Sequence, residues 1–179
     1  MKILCTGNPT LGICKHLQEL YPDATFISRT SGYDLDSEQG QAKFKDIIAD
    51  YDVFINHSQL GRGTQAKLLS ITRQVWDKGQ VINIGSVIEL PKWQWIEPDA
   101  AADKIALRDL SLDLLTEDFR TTHMMVGGLS SCDNDPMRLD PLPVAVGIKW
   151  VLENDTDIPL IYLDKISNEL TKKWMAMRP

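Results

Sequence analysis

"KILCTGNPTLGIC" (residues 2–14) opens the chain with a short apolar run, a glycine turn and the start of an amphipathic segment. Residues 2–6 read as a strand, and "LGICKHLQELY" (11–21) reads as a helix. The same alternation continues to the far end. "ATFIS" (24–28), "DVFIN" (52–56), "QVINIG" (80–85), "THMMVGG" (122–128) and "IPLIYLD" (158–164) read as further strands. Between them, Ser37 caps a helix over "EQGQAKFKDIIADY" (38–51). "GTQAKLLSITRQVWDKG" (63–79) has helical period, with Leu68, Leu69, Thr72, Val75 and Trp76 toward one side and Gly79 as its end. "EPDAAADKIALRDLSLDLL" (97–115) is one amphipathic helix opened by Pro98 and Asp99, and "PLPVAVGIKWVLEN" (141–154) is a helix with Pro143 near its start. The tail "SNELTKKWMAMRP" (167–179) reads as a short helix or a partly ordered end.

The strand runs are almost continuously apolar rather than alternating. That is the pattern of a parallel sheet covered on both faces. With 179 residues, the chain supports one domain, 1–179, with a real core. The expected fold is a Rossmann-like doubly wound parallel sheet in a three-layer α/β/α sandwich. Ligands of such folds bind at the carboxyl ends of the strands. The segments to inspect are therefore 7–13, 28–35, 56–63, 85–97 and 127–140.

Composition narrows the partners. A net charge of −6 argues against non-specific binding to nucleic acid or an anionic membrane. No apolar run is long enough to span a bilayer. "MKILCTGNP" has too short an apolar core for a signal peptide, and Cys5, Cys14 and Cys132 lack framework spacing. Both features predict a cytoplasmic protein with reduced thiols. His16, His57 and His123 have no metal-ligand spacing, so no metal is expected.

The turn "TGNPTLGIC" (6–14) joins the first strand to the first helix. Gly7 permits a tight turn, and Gly12 lets the helix start approach a phosphate or pack on the sheet. Free N–H groups at a helix start attract an anion. Glycine there also serves plain strand–helix geometry, but its place in the first turn of an alternating chain points to a dinucleotide. "TGNPTLGI" resembles the TGxxxGxG turn of the short-chain dehydrogenase/reductase family. The middle glycine corresponds to Leu11 or is displaced to Gly12, and the last corresponds to Ile13 or Cys14. The resemblance places the pyrophosphate against Gly7, Asn8, Pro9, Thr10, Leu11, Gly12 and Ile13.

After the second strand, "FISRTSG" offers Ser28, Arg29 and Thr30 and no acid. A guanidinium binds a 2′-phosphate in a bidentate, charge-assisted way, so NADP(H) is favoured over NAD(H). The alternative is a solvated surface arginine. Asp34 and Leu35 of "YDLD" resemble the family's adenine-contacting pair. They follow Arg29 so closely that the helix between the family's second and third strands is expected to be missing, as in the extended branch of nucleotide-sugar reductases and epimerases. "DVFINHSQLG" resembles the strand and Asn-Asn-Ala-Gly turn, with Asn56 in the first position and His57, Ser58 and Gln59 departing from the rest.

"QVINIGSVIEL" is similar to the family's strand ending in the catalytic serine, and Ser86 takes that place. "AAADKIALR" is similar to its YxxxK helix. Lys104 falls on the lysine, but position 100 is alanine, and no tyrosine occurs between Tyr51 and Tyr162. In the family, the lysine and ribose lower the tyrosine pKa for proton exchange while the serine holds the substrate oxygen. Losing a positioned proton donor forfeits roughly two to four powers of ten in rate. Three readings remain open. Asp99, Asp103, His57 or a water ordered by Lys104 replaces the donor; the protein binds NADP(H) without turnover; or the fold serves only in assembly. Gly128 resembles the glycine of the family's loop near the nicotinamide, with Ser130 or Ser131 in reach of the carboxamide, beside the acidic Asp133 and Asp135. The resemblance also implies a homodimer through helices 63–78 and 99–117. Ile105, Leu112 and Leu115 on one face, and Leu107, Leu110 and Leu114 on another, exceed the needs of one sheet contact.

Overall fold

The computed structural model describes residues 1–58, 61–129, 139–154 and 156–164. Gln59, Ser130, Ser131, Cys132, Asp133, Asp135 and the tail 167–179 lie outside the described residues. Strand and helix alternate as β1 (Ile3–Thr6), α1 (Gly12–Leu20), β2 (Thr25–Ile27), α2 (Glu38–Ile48), β3 (Val53–Asn56), α3 (Thr64–Val75), β4 (Gly79–Ser86), α4 (Pro98–Asp113), β5 (Phe119–Val126), α5 (Pro141–Glu153) and β6 (Leu160–Leu163). Single 3-10 turns stand at Arg29–Ser31 and Val87–Glu89. Among the described residues the strands form one sheet in the order β2-β1-β3-β4-β5-β6, parallel throughout.

The period-2 alternation of each strand sends its apolar side chains to both faces. From β1, Ile3 and Cys5 join Ile13 and Leu17 of α1 and Val144 and Ile148 of α5. Leu4 points the other way, into Phe44 and Ile48 of α2, Leu68 and Leu69 of α3 and Leu107 of α4. Two cores therefore clamp one sheet, the three-layer sandwich that the apolar runs imply. Phe44 and Phe54 meet with ring centroids 5.0 Å apart. Full burial of side chains of this size contributes about 1.5–3 kcal/mol each.

Local signals explain most boundaries. Ser37 caps α2 by accepting the Gly40 N–H at 3.0 Å, and Asp140 caps α5 by accepting that of Leu142 at 2.9 Å. Gly79 departs from expectation. Helix α3 ends at Val75 with Trp76 as its cap, and Gly79 begins β4. The Trp76 ring crosses this residue so closely that a Cβ would meet it at 2.5 Å. The shortening after β2 removes a strand as well as a helix. One helix, α2, joins β2 to β3, and no described strand lies outside β2. In the doubly wound order 3-2-1-4-5-6 two helices and an outer strand make that connection, so one strand and one helix are missing among the described residues.

No described helix is long and apolar enough to cross a membrane. On α4, Leu107 is buried, and Leu110 and Leu114 pack on the second core, so half of the expected apolar surplus is used inside the protomer. Leu112 is exposed. A longer exposed apolar stripe, Leu142, Val146 and Trp150, runs along α5, and on the edge strand β6 Leu160 and Tyr162 are also exposed.

Candidate dinucleotide site

Three strand ends converge on one cleft of about 280 Å³, lined by Gly7, Asn8, Leu11, Ser28, Arg29, Tyr33, Leu35, His57 and Ser58. Its floor is the β1–α1 turn. Gly7 donates its N–H to Ile27 O at 2.8 Å and has φ +142°. A Cβ there would lie 2.4 Å from Cys14 Sγ and 3.1 Å from His57 Nδ1, so only glycine fits. Asn8 Oδ1 accepts from the backbone N–H and the hydroxyl of Thr10, at 3.0 and 2.9 Å, which sets the turn. Gly12 opens α1 with φ +51° and open space about it, so it does not serve packing on the sheet. No side chain caps α1, and its first turn carries no acid. Its leading N–H groups are therefore free to meet an anion.

The Arg29 guanidinium meets two carboxylates that the local reading did not give it. Nε donates to Asp34 at 3.0 Å, and Nη2 donates to Asp36 at 2.6 Å. Asp36 is anchored in turn by the Gly61 N–H at 2.6 Å and the Thr64 hydroxyl at 2.8 Å. Burial alone would raise the Asp36 carboxyl, but the bonds from Thr64, Gly61 and Arg29 outweigh it and hold it below the usual range. Beside Arg29, the Ser28 and Thr30 hydroxyls bond each other at 2.7 Å. Asp34 thus faces Arg29 and does not line the cleft, whereas Leu35 does.

A buried polar network runs from β3 to α4. Asn56 Nδ2 donates to Asn83 Oδ1 and Gln65 O, both at 2.9 Å, and Asn83 donates to Ser111 at 3.2 Å. Gln65 accepts from Lys104 Nζ, which also donates to Ile84 O at 3.0 Å. Burial lowers the Lys104 pKa to about 8, against the opposing pull of Glu89 and Asp103. Lys104 lines a second, smaller cavity of about 110 Å³ with Ala100, Asp103, Gln65, Gly61 and Gly63. Position 100, one helical turn before Lys104, therefore opens onto the same space as the lysine. Asp99 pairs with Arg62 on the surface.

Ser86 ends β4 and caps the turn that follows, its Oγ accepting from Ile88 N at 3.4 Å. Its N–H donates to Glu89 Oε1 at 2.7 Å. Glu89 and His123 are fully buried, with His123 Nε2 3.0 Å from both carboxylate oxygens, and Arg108 lies 3.9 Å away. No hydrogen bond among the described residues joins Ser86 to Lys104. The lysine holds the Ile84 carbonyl, two residues before Ser86 on β4.

No protein-family model and no curated protein matches the sequence. Solved structures do. A 3-alpha-hydroxysteroid dehydrogenase from Pseudomonas sp. B-0831, complexed with NADH, superposes with TM-score 0.68 and 15% identity over 97% of this chain and 99% of that one. A short-chain dehydrogenase from Sphingobium yanoikuyae in complex with NADPH gives 0.67 and 12% over 98% and 91%. The bulky-bulky ketone specific alcohol dehydrogenase from Comamonas testosteroni gives 0.69 and 14% over 99% and 94%.

The chain has the short-chain dehydrogenase/reductase fold.

On that fold, Gly7, Asn8, Leu11, Ser28, Arg29, Leu35, His57 and Ser58 stand together at the cleft. Pro9, Thr10 and Gly12 belong to the same turn without lining it, and Thr30 stays at its edge through the Ser28 bond. The Ile13 and Asn56 side chains are buried, in the core and in the polar network. Gly128 follows β5 and does not line this cleft, and its carbonyl accepts from Leu139 N at 2.9 Å. Tyr33, Asp36, Gln65 and the Glu89–His123 pair were not singled out from the sequence. The last had a readable signal: "SVIE" (86–89) has the Ser-x-x-Glu spacing of a capping box.

Proposed function

We propose that the protein binds a nicotinamide dinucleotide, NADPH in preference to NADH, in the cleft at the carboxyl ends of β1, β2 and β3. The observation that carries the reading is the Cβ-free approach at Gly7, set beneath an uncapped helix start. A pyrophosphate needs backbone this close and N–H groups this free. Tyr33 and Leu35 supply apolar walls for an adenine, and Arg29 supplies the cation for a 2′-phosphate. Because Asp34 already occupies Arg29 Nε, the phosphate has to displace it, while Asp36 keeps Nη2. The preference for NADPH is therefore modest, on the order of tenfold, about one charge-assisted hydrogen bond less the loss of Asp34.

A bound nicotinamide supplies hydride exchange with a carbonyl or alcohol carbon. The chain supplies the rest of an oxidoreductase site in altered form. Lys104, with a pKa near 8, is the group able to hold and release a proton near neutrality. Ser86 is the hydroxyl at the end of β4 that would hold a substrate oxygen. Titration with NADPH and NADH tests the binding, and Lys104→Ala tests any turnover.

The second reading, a non-catalytic dinucleotide sensor or interaction module, is favoured by Ala100. Position 100, one helical turn before Lys104, carries no proton donor, and Lys104 gives two of its three donors to Gln65 and Ile84. Gain of carbonyl reduction in Ala100→Tyr would support retained oxidoreductase geometry, and its failure would support the sensor. A homodimer is part of the proposal. With α4 partly used in the core, the exposed α5 stripe is the better face, and Trp150→Glu is expected to yield monomers in sedimentation.

A further inference from the structure

Beneath the cleft floor, two thiols and an imidazole stand in a cluster that the dinucleotide reading does not use. Cys14 Sγ is 3.3 Å from His57 Nδ1 and 3.7 Å from Cys5 Sγ. His57 is fixed by its N–H bond to Thr6 Oγ1 at 2.9 Å, and Ser58 N donates to the same oxygen at 3.0 Å. Cys14 is the third residue of α1, where the helix dipole favours an anion. The hydrogen bond from Cys5 lowers the Cys14 pKa. Burial opposes this, and His57 lowers it further. Burial holds the Cys5 thiol well above its ordinary value. Cys14, at the helix start and beside His57, stands where an attacking thiol would, and Cys5 stands behind it where a resolving thiol would. His57 lines the cleft and is the layer between it and Cys14.

We propose that Cys14 and Cys5 are a peroxide-reactive dithiol, assisted by His57, whose oxidation to a disulfide opposes dinucleotide binding in the cleft above. The Cys14 thiolate attacks one oxygen of hydrogen peroxide. The S–O bond forms, the O–O bond breaks, and the leaving hydroxide takes a proton through His57 to become water. Cys14 is then a sulfenic acid. The Cys5 thiol attacks that sulfur, the S–S bond forms, the S–O bond breaks, and the departing hydroxide leaves as water with the Cys5 proton. Two thiols and one peroxide give one disulfide and two waters.

Closing the sulfurs from 3.7 Å to the roughly 2.05 Å of a disulfide draws the start of α1 against β1. Cys14 Sγ is the atom against which Gly7 packs, and Cys14 is also the contact of His57. Both cleft residues therefore lose their support on oxidation. The thiol chemistry stands apart from the dinucleotide reading, and only the effect on binding rests on it.

The test uses full-length protein carrying Cys132→Ser, treated with hydrogen peroxide and read by intact mass and peptide mapping. The expected result is loss of two hydrogens, mapped to a Cys5–Cys14 link and reversed by dithiothreitol. Cys5→Ala should stop at a Cys14 sulfenic acid captured by dimedone, and His57→Gln should slow the reaction at least tenfold. The oxidised protein should bind NADPH at least tenfold more weakly, and bound NADPH should protect the thiols. Both thiols intact at a peroxide dose that consumes free cysteine would overturn the proposal. A disulfide that leaves NADPH affinity unchanged would overturn its effect on binding. Failure of the reduced protein to bind NADPH would remove the dinucleotide reading and that effect together, while the mass result still decides the dithiol.

Discussion

Substituting Gly7 with alanine separates the two constraints that make the turn. The first is backbone strain: φ is +142°, a region costing a non-glycine residue roughly 1–3 kcal/mol. The second is overlap: the new Cβ would lie 2.4 Å from Cys14 Sγ, and relieving such overpacking costs roughly 1–3 kcal/mol. Together they predict a loss of about 2–6 kcal/mol, with a midpoint that corresponds to a Tm lower by roughly 10 °C for a domain of this size. Urea unfolding under reducing conditions measures the loss, and NADPH titration measures the cleft. Adding Cys14→Ala removes the sulfur but leaves the strain, so the double variant should recover about 1–3 kcal/mol relative to additivity. A Gly7→Ala protein within about 0.5 kcal/mol of wild type, with unchanged NADPH affinity, would refute the reasoning, because a surface substitution behaves that way.

Lys104 offers a pH signature. Its folded pKa of about 8 lies below the 10.5 of an ordinary lysine, so between those values the unfolded chain binds the extra proton and stability rises with pH. The difference curve between wild type and Lys104→Met should climb by up to about 3 kcal/mol across that window, and a flat difference would place the amine in water. At Arg29, Asp34→Asn should raise the NADPH-over-NADH preference several-fold and Arg29→Ala should abolish it, as read by parallel titrations. Glu89→Ala leaves the buried His123 and the Ser86 N–H without their acceptor and should cost about 3–5 kcal/mol in urea unfolding, whereas a cost below 1 kcal/mol would mean that the pair is not coupled.

The fold was readable because its determinants are local. Near-continuous apolar runs such as 52–56 set a parallel sheet, Ser37 marks a helix start, and the Gly7 turn follows the first strand. What escaped the sequence depends on partners brought together from a distance. Arg29 looks like a free cation in "SRTSG", yet Asp34 and Asp36 turn back to it from just down the chain, and Asp36 is oriented for this by the distant Gly61 and Thr64. His57 meets Cys14 across 43 positions, and Glu89 meets His123 across 34. Gly79 looks like a helix stop because glycine commonly is one; its reason is the Trp76 ring lying over it. Of the pair named for the adenine, Leu35 lines the cleft and Asp34 is turned to the arginine.

The most direct test of the central claim is titration of the reduced protein with NADPH and with NADH, following nucleotide fluorescence and the quenching of the five tryptophans. The account predicts micromolar binding of NADPH, weaker binding of NADH, and loss of both in Gly7→Ala. Absence of binding by either nucleotide would contradict it and leave the short-chain dehydrogenase/reductase fold as a scaffold for another purpose.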